Sequence, residues 1–165
     1  MYLKKFKTLI LILAVTAGIN VFASTSGYTV VSANGVQTQS ASKAYTTVNP
    51  LDIVARPNFY LNKNVKIKAK FDKFSTLGLD YKPAMKSSQD YISFLIQRPD
   101  VTDHNIPLSE LKIFLKRTEA EKYIDLNSGD IVEFSGKVFS NALGDAWMDV
   151  DKFAVISSTK PKDEK

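Results

Sequence analysis

The side chains able to do chemistry are few and scattered. The single histidine, His104, sits in Asp100-Val101-Thr102-Asp103-His104-Asn105, where neighbouring acids suggest an acid–base pair or the start of a metal site. A metal site of that kind needs further nitrogen or sulfur donors. With one histidine and no cysteine to draw on, His104 reads as an ordinary loop residue. Asp145, Asp149 and Asp151 lie close together, but the glycine and terminal glutamate of a calcium loop are missing. They are expected to be solvated acids that pair with Lys137 across a sheet. No nucleophile elbow, phosphate-cradling glycine loop or dinucleotide fingerprint occurs. Arg56, Arg98 and Arg117 lack the surrounding acids expected of a nuclease. No catalytic residue, metal ligand or cofactor is assigned, and an exported nuclease is the enzymatic alternative.

One constellation points to binding. Lys112, Phe114 and Lys116 alternate, so an extended backbone places all three on one face. An aromatic ring between two cations suits a base stacked beside a phosphate. The ring alone suits a sugar. The plainer alternative is that Phe114 packs under a loop and the lysines keep the face soluble. Lys66, Lys68 and Lys70 form a second basic row, which reads as a solvated strand face or as protection of an edge against unwanted pairing.

Composition limits the rest. The chain has 165 residues, 44% hydrophobic, with ten Phe and seven Tyr, which calls for a packed core. The lack of cysteine excludes a disulfide scaffold, a thiol nucleophile and an N-terminal lipid anchor on cysteine. Lys4, Lys5 and Lys7 precede an apolar run from Leu9 to about Val15, and Val21-Phe22-Ala23 follows. These are the three parts of a secretory signal, with cleavage expected after Ala23. The expected location is therefore periplasmic or extracellular, with no transmembrane segment in the mature chain. Three of the 22 basic residues fall in this signal and none of the 17 acids does. Residues 50–157 hold 15 of each sign, so the folded part is neutral. That argues against a global nucleic-acid footprint.

Residues 24–49 are rich in Ser, Thr, Ala, Gln and Gly and carry one charge, Lys43, which predicts a flexible linker. A small hairpin around Asn34-Gly35 is the alternative. Residues 158–165 read as a charged tail.

Between them, Asn49 and Pro50 open a short helix. Strands are predicted near 65–74, 91–97, 111–117, 131–139 and 146–156, with a helix near 118–126 capped by Thr118. For 108–117 a helix from Ser109 fits the spacing as well. The predicted core includes Val65, Ile67, Phe71, Ile92, Phe94, Ile96, Ile113, Leu115, Val132, Phe134, Val138 and Val150. Gly136 is placed at a bend and Asp151-Lys152 at a bulge.

Strand, long loop, strand, loop, strand, helix, strand, tight turn, strand is the element order of a five-stranded OB barrel. The passage Leu126-Asn127-Ser128-Gly129-Asp130-Ile131-Val132-Glu133-Phe134-Ser135-Gly136-Lys137-Val138 resembles that of nucleic-acid-binding OB domains, including the tRNA-anticodon-binding-like group. The resemblance implies a mainly β, Greek-key barrel over residues 50–157, and a ligand face on its second and third strands. Candidate ligand-binding residues are then Tyr91, Lys112, Phe114 and Lys116, with Tyr81 and Trp147 in the flanking loops. The expected function is an exported, non-catalytic binding module. Its partner is an envelope glycan, a protein or another extracytoplasmic ligand, with single-stranded nucleic acid as the alternative.

Overall fold

A computed structural model describes residues 43–159. The expected signal peptide, most of the expected linker and the last six residues lie outside the described residues.

The described residues form six strands: β1 (Thr46–Thr47), β2 (Asn64–Ser75), β3 (Tyr91–Ile96), β4 (Leu111–Lys116), β5 (Ile131–Ser140) and β6 (Ala146–Ser157). The last five close into a barrel in the order β2-β3-β4-β6-β5, with β5 returning to β2. β4 runs parallel to β6, and the other pairings around the barrel are antiparallel. This order, with a helix between β4 and β5, is that of the OB fold.

Alternation along β2 explains the closure. Val65, Ile67 and Phe71 point inward and are buried, while Lys68 and Lys70 stay exposed. The first part of β2, from Asn64 to Lys70, pairs with β5; from Phe71 onward the strand pairs with β3. The register shifts between Phe71 and Lys73, so the strand bends there and serves both halves of the barrel. A second shift leaves Asp151 unpaired, because Ser135 faces Lys152 and Gly136 faces Val150. Gly136 is required at that bulge: a Cβ there would lie 1.9 Å from the Asp149 carbonyl oxygen. The bend at Gly136 and the bulge at Asp151 are thus one feature.

The main core contains the predicted residues, with Ile92 only partly buried. Residues 111–116 form a strand, and the helical alternative is overturned. Their 3.6-residue spacing is real, but β4 is buried on both faces, so its apolar residues fit either period.

The helix after β4 is shorter than predicted. This helix, α3, spans Arg117–Ala120, and a 3-10 turn continues it through Glu121–Tyr123. Two short helices precede β2: α1 (Pro50–Ala55) and α2 (Pro57–Tyr60). The Asn49 side chain caps α1 by accepting from the Leu51 N–H at 2.9 Å, as expected. Thr118 does not cap α3. The chain passes directly from β4 into α3, where the Arg117 N–H donates to the Asp90 carbonyl at 2.9 Å and its Nε to the Ser88 carbonyl at 2.7 Å. That docking fixes the first turn without a side-chain cap.

The ends also differ from expectation. Thr46 and Thr47 pair in parallel with Val65 and Lys66, so the folded part begins before Pro50. A two-residue strand is too short to leave a periodic signal. At the other end, Ser158 and Thr159 are tied to Asp130.

Candidate functional site: an aromatic stack beneath the β2–β3 loop

The predicted residues converge on one side of the barrel. Cross-strand pairing sets Tyr91 opposite Lys116 and Ser93 opposite Phe114, and parallel pairing sets Lys112 beside Trp147. Alternation turns Phe114 away from the main core, as expected. It does not, however, expose the ring. Phe114 and Trp147 are both buried, in a second hydrophobic cluster with Ala84.

The cover is the loop between β2 and β3. Tyr81 stacks on Trp147 with centroids 5.4 Å apart, and Trp147 stacks on Phe114 at 5.6 Å. Phe139 meets the edge of Phe114 at 6.1 Å. Gly78 has φ +82°, and a Cβ there would come within 3.1 Å of both Phe114 and Trp147. A side chain at this position would therefore be strained by its backbone angle and would press against both rings. The Trp147 indole N–H donates to the Ala142 carbonyl at 2.8 Å, which ties the stack to the β5–β6 turn.

Expectations about charge need correction here. Lys112 is paired with Asp145 at 2.8 Å and also donates to the Ser109 carbonyl, so it does not stand free beside Phe114. Asp149 stands opposite Lys137 across the β5–β6 pairing, as expected, but neither acid forms an ion pair with it. The Asp149 carboxylate takes Lys86 from the loop, and that of Asp151 takes Lys43. Lys86 Nζ also lies 4.4 Å from the Tyr91 ring centroid and 4.8 Å from that of Phe139. This one lysine thus clamps the loop to two rings and a carboxylate. Lys116 is exposed and has no ion pair among the described residues.

Ser93 adds a polar group to the same face. Its hydroxyl is buried without a hydrogen-bond partner, on the residue opposite Phe114. A buried polar group of this kind is costly unless another state or a ligand satisfies it.

Lys86 and Phe139 were missed in the sequence, whereas Ser93 falls with Tyr91 in the outward set that alternation gives the second predicted strand. The loop did carry a signal, since Leu77, Leu79, Tyr81, Ala84 and Met85 are too apolar for a free connection. His104 is exposed, with Nδ1 2.7 Å from an Asp103 oxygen. Among the described residues, no group of three or more His, Cys, Asp or Glu could hold a metal ion.

No protein-family model matches the chain, and no curated protein does. Among solved structures, the chain is similar to asparaginyl-tRNA synthetase from Pyrococcus horikoshii complexed with asparaginyl-adenylate. The match has 17% identity over 62% of this chain and 21% of that one, with a TM-score of 0.41. It is also similar to the Entamoeba histolytica asparaginyl-tRNA synthetase, at 14% identity over 75% and 28% of the two chains and a TM-score of 0.42. The mitochondrial single-stranded DNA-binding protein of S. cerevisiae matches at 11% identity over 60% and 98%, with a TM-score of 0.39. The chain spans about a quarter of the length of the synthetases it matches. Similarity at this level carries no ligand across. By its own strand order and helix position, the folded part of the chain is an OB barrel with one added strand.

Proposed function

We propose that the protein is an exported, non-catalytic OB binding module whose ligand is an envelope glycan taken by ring stacking. The observation that carries this reading is the Tyr81–Trp147–Phe114 stack on the OB ligand face, with the unpartnered Ser93 hydroxyl beside it. Sugar rings stack on aromatic faces, and a buried hydroxyl supplies a hydrogen bond to one of theirs. The β2–β3 loop moves aside to admit the ligand, and its Tyr81 then closes over the sugar.

The local electrostatics favour a neutral ligand over nucleic acid. Lys112 and Lys86 are held by Asp145 and Asp149 and so are not cations free to meet a phosphate. A phosphate backbone needs several such cations. Export rests on the basic, apolar and small-residue sequence of residues 1–23.

Calorimetric titration of the chain with muropeptides, chitooligosaccharides and single-stranded oligothymidine, at low and high salt, tests the reading. Glycan binding that is insensitive to salt and lost in Tyr81→Ala supports it. Oligothymidine binding that weakens steeply with salt would replace it with the nucleic-acid alternative.

A further inference from the structure

A second feature lies away from the aromatic stack. A cleft of about 610 Å³ opens beside β2, between the end of β1 and the loop that leaves β3. Lys68, Lys70 and Arg98 line it, together with the apolar side chains of Val48, Val101 and Ile131, and no acid is among its lining residues. Arg98 is held by Asp100 and Glu110. Lys68 and Lys70 are exposed and have no ion pair among the described residues.

The backbone at this cleft is an open strand edge. The Lys66 carbonyl accepts from the Val48 N–H and the Lys70 carbonyl from the Gln97 N–H, both at 2.9 Å. Groups on alternate residues of a strand point the same way, so the Lys68 N–H and C=O point to this edge, midway between those two bonds. On the other side of β2, Phe71 exchanges bonds with Gly129 and Asp130, which fixes the same parity. By the same parity the Lys68–Glu133 pair is of the non-hydrogen-bonded kind, and no loop or side-chain hydrogen bond among the described residues reaches the Lys68 N–H or C=O. The opening from Lys66 to Lys70 is about 13 Å long at strand rise.

We propose that this edge binds a short, extended acidic peptide of another protein. The peptide exchanges backbone hydrogen bonds with Lys68 and places its carboxylates against Lys68 and Lys70. Its apolar side chains enter the cleft over Val48, Val101 and Ile131. A donor–acceptor pair on a strand edge is the complement of a peptide backbone. The lysines that repel a neutral strand from an open edge attract one that carries carboxylates. This site is separate from the aromatic stack and does not rest on the glycan reading.

Fluorescence polarisation on the full chain tests it with three labelled peptides of equal length. One alternates valine with aspartate, one alternates valine with lysine, and one is the aspartate peptide methylated on alternate backbone nitrogens. The aspartate peptide is expected to bind, and the lysine peptide is not. Backbone methylation and the exposed substitution Lys68→Glu should each weaken binding by about tenfold or more. Lys70→Gln, a milder change, should weaken it less. Absence of binding by the aspartate peptide overturns the proposal. Equal binding of aspartate and lysine peptides also overturns it, and binding that survives methylation reduces the site to a simple anion patch and overturns the strand pairing.

Discussion

The indole of Trp147 lies stacked against the ring of Tyr81, with centroids 5.4 Å apart, and so joins the β2–β3 loop to the start of β6. Trp147 is the only tryptophan of the chain, which makes this contact directly observable. Tyr81→Ala should raise acrylamide quenching of Trp147 and shift its emission to the red. The lost ring pair should lower stability by about 1 kcal/mol beyond the lost area. Unchanged quenching would mean that the loop does not rest on Trp147.

The bulge at Gly136 allows a test of barrel closure. A Cβ there meets the backbone of β6, which cannot rotate away as a side chain would. Gly136→Ala is therefore expected to destabilise the domain by about 1–3 kcal/mol. Urea denaturation measures this loss, and wild-type stability in the variant would place β6 elsewhere.

Asp130 gives a pH dependence. Burial opposes its ionisation, but the N–H groups of Asn127 and Thr159 and the hydroxyls of Thr159 and Ser158 outweigh it. Together they hold the carboxyl down from 3.8 to about 2. A depressed acid binds fewer protons when folded than when unfolded. Its contribution is complete above the unfolded value near 3.8 and is lost as pH falls toward 2. Denaturation measured across that window should show a fall in stability that is smaller in Asp130→Asn. At neutral pH the same variant should lose about 1–3 kcal/mol, because one oxygen of the buried carboxylate becomes an amide NH2 that faces the donors it had served.

The strands were legible because their apolar residues alternate: β2 reads Val65, Ile67, Phe71 against Lys66, Lys68, Lys70. Gly129-Asp130 marked the turn before β5, and its role is now clear, since Asp130 gathers the bonds that hold both that turn and the end of β6. The site was half legible. The residues of the stack were named, alternation gave their face, and the plainer alternative, that Phe114 packs under a loop, is the one the fold adopts; local period alone does not choose between the two. Ion pairs were the least legible. Lys86 meets Asp149 across 63 positions and Lys43 meets Asp151 across 108, distances over which no local spacing rule holds. β1 escaped notice for a related reason, as two threonines become a strand only when β2 is beside them.

The proposed ligand site is the face beneath the β2–β3 loop, where the ligand stacks on the aromatic rings. The most direct measurement is a titration of Trp147 emission with muropeptides and chitooligosaccharides, in the wild-type chain and in Tyr81→Ala. A saturable change in the wild type, at ligand concentrations where Tyr81→Ala shows none, is the predicted result. Glycan binding detected by calorimetry with no change at Trp147, or equal binding by the two chains, would contradict the account.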